Sequence, residues 1–87
     1  MAAIDQATVR QEIRAFIYET YFFGDESEKF EDTDSFMEHG IIDSTGVLEL
    51  TTFLEEKYGV TVDDDEMLPA NLDSVANLVA FIQRKKS

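Results

Sequence analysis

Three features of this 87-residue sequence predict an all-α fold, a small four-helix bundle with three longer helices and one short one. Three stretches repeat apolar residues at helical spacing. Gly24 and Gly59 stand where two of those stretches would stop. The length suits one domain spanning residues 1–87, because chains divide only when much longer. With 44% hydrophobic residues, including seven Phe and three Tyr, the chain has enough large side chains for a core.

The first predicted helix covers residues 5–21. Val9, Ile13, Phe16, Ile17 and Tyr21 fall on one face, and Arg10, Glu12, Arg14 and Glu19 on the other. Asp5 is one candidate cap; Thr8, with Gln11 three residues on, is another. A long connection over residues 24–43 follows. It carries Asp25, Glu26, Glu28, Glu31, Asp32, Asp34, Glu38 and Asp43 against the single Lys29. So long a loop needs tethers, and its apolar residues predict that Phe36 and Ile41 or Ile42 dock into the core.

The second helix is expected over residues 44–58, with Val47, Leu50, Leu54 and Tyr58 as its stripe and Gly59 as its left-handed stop. Gly46 in the first turn is a weak helix former. Val60-Thr61-Val62 is too short to separate a strand from an extended link. Asp63 and Glu66 pair as a capping box for a short helical turn that Pro69 is expected to close. The last helix follows Asp73, its expected cap. It buries Val75, Leu78, Val79 and Ile82 and ends in Arg84, Lys85 and Lys86, which suit the negative end of a helix dipole.

Charge excludes several functions. A net charge of −12 opposes nucleic acid and anionic membranes and favours basic protein surfaces. With no cysteine there is neither a disulfide nor a thiolate nucleophile. No apolar run reaches the ~18 residues of a membrane span and no signal-peptide core is evident, so the expected state is a soluble cytoplasmic monomer.

The catalytic inventory is thin. His39 is the single histidine and reads as a loop residue. Ile42-Asp43-Ser44-Thr45-Gly46 lacks the first glycine of a nucleophile elbow. Calcium-loop registers starting at Asp32 or Asp63 place Phe36 and Met37, or Met67 and Leu68, where an acid and a glycine are required. No metal site is expected. What remains is Ser44, beside Asp43 at a helix N-terminus, where a phosphate attached to the hydroxyl would meet free amides and positive potential. Ordinary helix capping by the same pair is the alternative.

The run His39-Gly40-Ile41-Ile42-Asp43-Ser44-Thr45-Gly46-Val47-Leu48-Glu49-Leu50 resembles the phosphopantetheine-attachment motif of acyl carrier proteins. Leu54-Glu55-Glu56-Lys57-Tyr58-Gly59-Val60 resembles the end of that family's second helix, and the stretch from Asp73-Ser74-Val75 to Phe81-Ile82 resembles its last helix. The likeness extends over essentially the whole chain. It implies a stand-alone carrier without catalysis, in which Ser44 receives 4′-phosphopantetheine from coenzyme A and the arm's thiol holds cargo as a thioester. It also implies that Asp43 helps position a phosphopantetheinyl transferase and its metal, and that Glu49, Glu55 and Glu56 dock basic enzyme surfaces. Thr45, Val47, Leu50, Leu54 and Met67 are candidate arm or cargo contacts, although the plainer reading of the apolar four is core.

Thr45, Gly46 and Lys57 depart from the fatty-acid carriers, and two residues rather than one separate Gly40 from Asp43. Gly-Ile-Ile-Asp-Ser-Thr-Gly is instead similar to the Gly-Leu-Leu-Asp-Ser-Met-Gly of the D-alanyl, aminoacyl and peptidyl carriers. That branch implies loading by an adenylating ligase and delivery to an acyltransferase or synthase. The alternative is an acidic helical interaction module that uses the same fold unmodified.

Overall fold

The computed structural model describes residues 5–24 and 29–86. Asp25, Glu26 and Glu28, counted above among the acids of the connection, lie outside the described residues. The chain folds as α1 (Gln6–Tyr21), α2 (Ser44–Tyr58), a 3-10 turn (Asp64–Glu66), α3 (Pro69–Leu72) and α4 (Val75–Lys86). Among the described residues there is no strand. Among the described residues no helix is long and apolar enough to cross a membrane.

Helix α1 begins where Asp5 accepts a hydrogen bond from the Ala7 amide, and Thr8 donates its hydroxyl to the same carboxylate. It buries Val9, Ile13 and Ile17, with Phe16 and Tyr21 half-buried beside them. It stops at Phe22 rather than at Gly24 itself. Phe23 takes the left-handed conformation first (φ 54°), and the Gly24 amide then returns to the Tyr18 carbonyl at 2.8 Å. Helix α2 is bounded by Asp43 and the left-handed Gly59, as its stripe predicts.

Phe36 and Ile42 are the loop residues that dock in the core, joined by Phe30, whereas Ile41 is half-buried. Two carboxylates fix the loop's path. Asp32 pairs with Arg10 and, at 2.8 Å, with Arg14, whose guanidinium also lies 4.2 Å over the Phe30 ring. Asp73 accepts hydrogen bonds from the Ser35 hydroxyl and the Met37 amide.

That second anchor corrects the expected cap of α4. The Asp73 side chain faces the loop, and Ser74 caps the helix by accepting from the Asn77 amide at 3.1 Å. Pro69 likewise opens α3 instead of closing the preceding turn. Its fixed φ suits the first helical position, where no amide donor is needed. Val60 and Val62 are buried in an irregular link, and the Val62 amide donates to the Glu55 carboxylate at 2.9 Å. The core joins all four helices, with α4 packed on α1 and α3.

Asp63 and Glu66 form the expected capping box. Glu66 also holds Lys85 of α4 at 2.8 Å, and this hydrogen bond, seconded by that from the Asp63 amide, lowers its carboxyl below the ordinary 4.5. A lowered folded value stabilises the protein above the unfolded value and loses that contribution as pH falls through the folded one. Glu66→Gln is therefore expected to melt below the parent near neutrality. The gap in melting temperature should shrink as pH drops below 4.5. Thermal melts of both proteins across that range check it.

Candidate functional site

The first turn of α2 divides its tasks among four residues. Asp43 is the cap: its backbone is extended, its Oδ1 accepts from the Gly46 amide at 2.8 Å, and its carbonyl accepts from Val47. Ser44 and Thr45 follow, both exposed. Either Asp or Ser serves well as a cap. Because Asp43 takes the position, the Ser44 hydroxyl makes no hydrogen bond among the described residues. The amides of Ser44 and Thr45 also find no acceptor there, so the positive end of the helix faces outward.

This end is held from behind. The amides of Ile41 and Ile42 both donate to the Phe36 carbonyl, so the docked loop delivers Asp43 to a fixed place. Gly46 is buried where α1 and α2 meet, and a Cβ there would lie 2.8 Å from Ile42 Cγ2 and 3.3 Å from the Tyr21 ring. The glycine that looked like a poor helix former is the one residue that permits this approach. Tyr21 donates its phenol to the Gly46 carbonyl at 2.9 Å. Burial, and then the carboxylates of Glu49 and Asp43, push the phenol up to about 12, so it keeps its donor proton at neutral pH.

Beside Ser44 opens a mostly apolar groove of about 210 Å³, floored by Val47, Met67 and Leu72 and rimmed by Met37 and Leu68. Of the residues expected at this site, Ser44, Val47 and Met67 meet there. Leu50 and Leu54 do not, being fully buried in the core, the plainer of the two readings given for them. Thr45 is exposed beside the cap and does not line the groove. Glu49 and Glu56 are exposed on α2, whereas Glu55 is half-buried and occupied with the Val62 amide. His39 lies on the loop with its ring 3.6 Å from Asp34.

Sequence reasoning missed Met37, Leu68 and Leu48. The last is 59% exposed on α2, one turn beyond Ser44. Each is a large apolar residue outside every helical stripe, and that displacement was the available signal.

The arrangement suits a covalent arm. It offers an unengaged hydroxyl at a positive helix end and an apolar trough leading from it. A family model described as the phosphopantetheine attachment site matches residues 22–82. The chain belongs to that family. The carrier is also similar to the probable acyl carrier protein PigG of Serratia sp., with 31% identity over 68 residues and 78% of each chain covered. Carriers of this kind bear a covalently attached 4′-phosphopantetheine and do not catalyse reactions themselves. The unengaged hydroxyl and the adjoining groove fit such a group.

Two stability measurements test the division of labour. Asp43→Ala is expected to cost about 1 kcal/mol through the lost cap, whereas Ser44→Ala should leave stability nearly unchanged. Urea unfolding of the unmodified chain separates them. By the same assay Gly46→Ala should destabilise by roughly 1–2 kcal/mol, overpacking against Ile42 and Tyr21 outweighing the better helix propensity.

Proposed function

We propose that Ser44 is the residue that carries the 4′-phosphopantetheine, with the whole chain acting as one acyl or aminoacyl carrier domain. The observation that carries this reading is the Ser44 hydroxyl: exposed, unbonded and relieved of capping by Asp43. Its oxygen would form the phosphodiester, and the outward amides of Ser44 and Thr45 favour the negative charge that the ester brings. Once attached, the group supplies a terminal thiol that holds cargo as a thioester, a function the cysteine-free chain cannot provide.

Placement supports the remaining roles. Asp43 spends one carboxylate oxygen on the cap and keeps the other for the transferase's metal. Val47 and Met67, with the rim residues Met37 and Leu68, give the arm an apolar rest. Leu48, Glu49 and Glu56, all exposed on α2, offer one large apolar side chain and two carboxylates to a basic enzyme. Glu55, tied to Val62, contributes charge there rather than a free side chain. The run from Gly40 to Gly46, with two residues between Gly40 and Asp43, supports membership of the D-alanyl, aminoacyl and peptidyl branch, and with it an adenylating ligase as loader and an acyltransferase or synthase as recipient. The name of the Serratia relative, an acyl carrier, supports acyl cargo in the broad sense.

Intact-protein mass spectrometry tests the reading. After incubation with coenzyme A and a broad-specificity phosphopantetheinyl transferase, the chain should gain one phosphopantetheine, and Ser44→Ala none. No gain with several such transferases would sink the reading and favour an unmodified interaction module. A gain by Ser44→Ala would move the attachment elsewhere.

A further inference from the structure

Two phenols join α1 to α2, one toward each end of the second helix. Tyr21 of α1 donates to the Gly46 carbonyl at 2.9 Å, and Tyr58 of α2 donates to Glu12 at 2.9 Å. Gly46 and Tyr58 are twelve residues apart, about 18 Å along the helix axis. The chemistry is the same at both ends. Only the first bond lies in the turn that bears Ser44.

That turn is held in two different ways. Asp43 accepts from the Gly46 amide at 2.8 Å, which closes Ser44 and Thr45 into one capped ring. The Tyr21 phenol grips the carbonyl of the same glycine from another helix. The cap thus sets the shape of the turn, while the phenol sets its place against α1. Ile42, buried two residues before Ser44, and Gly46, two residues after it, bracket the serine. The ring of Tyr21 is seated independently of its hydroxyl. It meets Phe16 edge-on at 6.1 Å between centroids and lies 3.3 Å from the point that a Cβ on Gly46 would occupy.

We propose that Tyr21 is a positioning residue for loading of the carrier: through the Gly46 carbonyl, its hydroxyl keeps Ser44 aligned for the transferase. The proposal rests on the carrier reading and deepens it. In loading, the Ser44 oxygen bonds to the phosphorus of coenzyme A that bears the pantetheine arm. The bond from that phosphorus to its bridging oxygen breaks, adenosine 3′,5′-bisphosphate leaves, and the hydroxyl proton passes to the transferase or solvent. The transferase holds the coenzyme, so the carrier must place the nucleophile. Errors in that placement cost turnover more than affinity.

Tyr21→Phe keeps the ring and removes the hydroxyl, and Tyr58→Phe does the same at the far end of α2 as a matched control. The full chains are loaded from coenzyme A by a broad-specificity phosphopantetheinyl transferase, well below their melting temperatures, over a range of carrier concentrations. Tyr21→Phe should lose about fivefold in kcat with KM within about twofold of the parent. Tyr58→Phe should load as the parent does, although each variant loses one hydrogen bond between the same two helices. Native-state hydrogen exchange gives a readout without the transferase: the Gly46 and Val47 amides should exchange about fivefold faster in Tyr21→Phe and not in Tyr58→Phe.

Unchanged kcat in Tyr21→Phe would overturn the proposal, as would equal losses in the two variants, a rise in KM alone, or unaltered exchange at Gly46 and Val47. A parent chain that is never loaded refutes the carrier reading, and the proposal with it. A parent that loads normally beside an unaffected Tyr21→Phe refutes the proposal alone.

Discussion

The seating of Phe36 is the contact on which the rest of the arrangement turns. Its ring is buried and meets Phe30 edge-on at 6.4 Å between centroids. Its amide donates to the Asp73 carbonyl, and its own carbonyl receives the amides of Ile41 and Ile42. One loop residue thus joins the core, the link between α3 and α4, and the turn that precedes Ser44. Closing a long loop costs entropy that grows only slowly with length, so a few such anchors suffice to hold an otherwise polar segment. Without them the cap at Asp43 would have no fixed place from which to start α2.

The acidity of the chain is not one property. Asp32, Glu12, Glu55, Glu66 and Asp73 are spent internally on arginines, lysines, amides or a hydroxyl. Exposed ion pairs of this kind contribute little stability individually, and their value here is positional. Asp32 sets the loop on α1, Asp73 sets it on α3, and Glu66 ties the 3-10 turn to α4. Among the carboxylates left over, Glu49 and Glu56 are exposed on α2, and Glu19 is exposed on α1.

Much of this was legible in the residues themselves. The stripe Val47, Leu50, Leu54 with Gly59 behind it specifies α2, because period, apolarity and a left-handed stop agree there. Ser44 stood out through its flanking motif. The readings that changed concern residues whose task lies across the fold rather than along the chain. Asp73 looked like a cap but answers to Ser35 and Met37, some 36–38 positions away. Gly46 looked like a helix weakness because Ile42 and Tyr21 were not yet beside it. Glu55 and Glu56 are neighbours in sequence, yet the fold sends one toward Val62 and the other to solvent. Met37 and Leu68 line a groove that exists only once the loop and α3 have come together.

Helix α3 is a single turn of four residues, far too short to persist alone. It is held by borrowed bonds: Asn77 reaches its first carbonyl, and Asn71 is gripped by the Glu66 carbonyl and by Arg84. Yet Pro69 and Leu72 of this turn help to wall the groove beside Ser44. The opposite wall, from α2, is anchored in the core. The trough therefore has one bank on a long helix and one on a single turn, whose place is set by Leu72 in the core and by side-chain hydrogen bonds. Loosening those hydrogen bonds would move that bank while Ser44, carried by the other, kept its place.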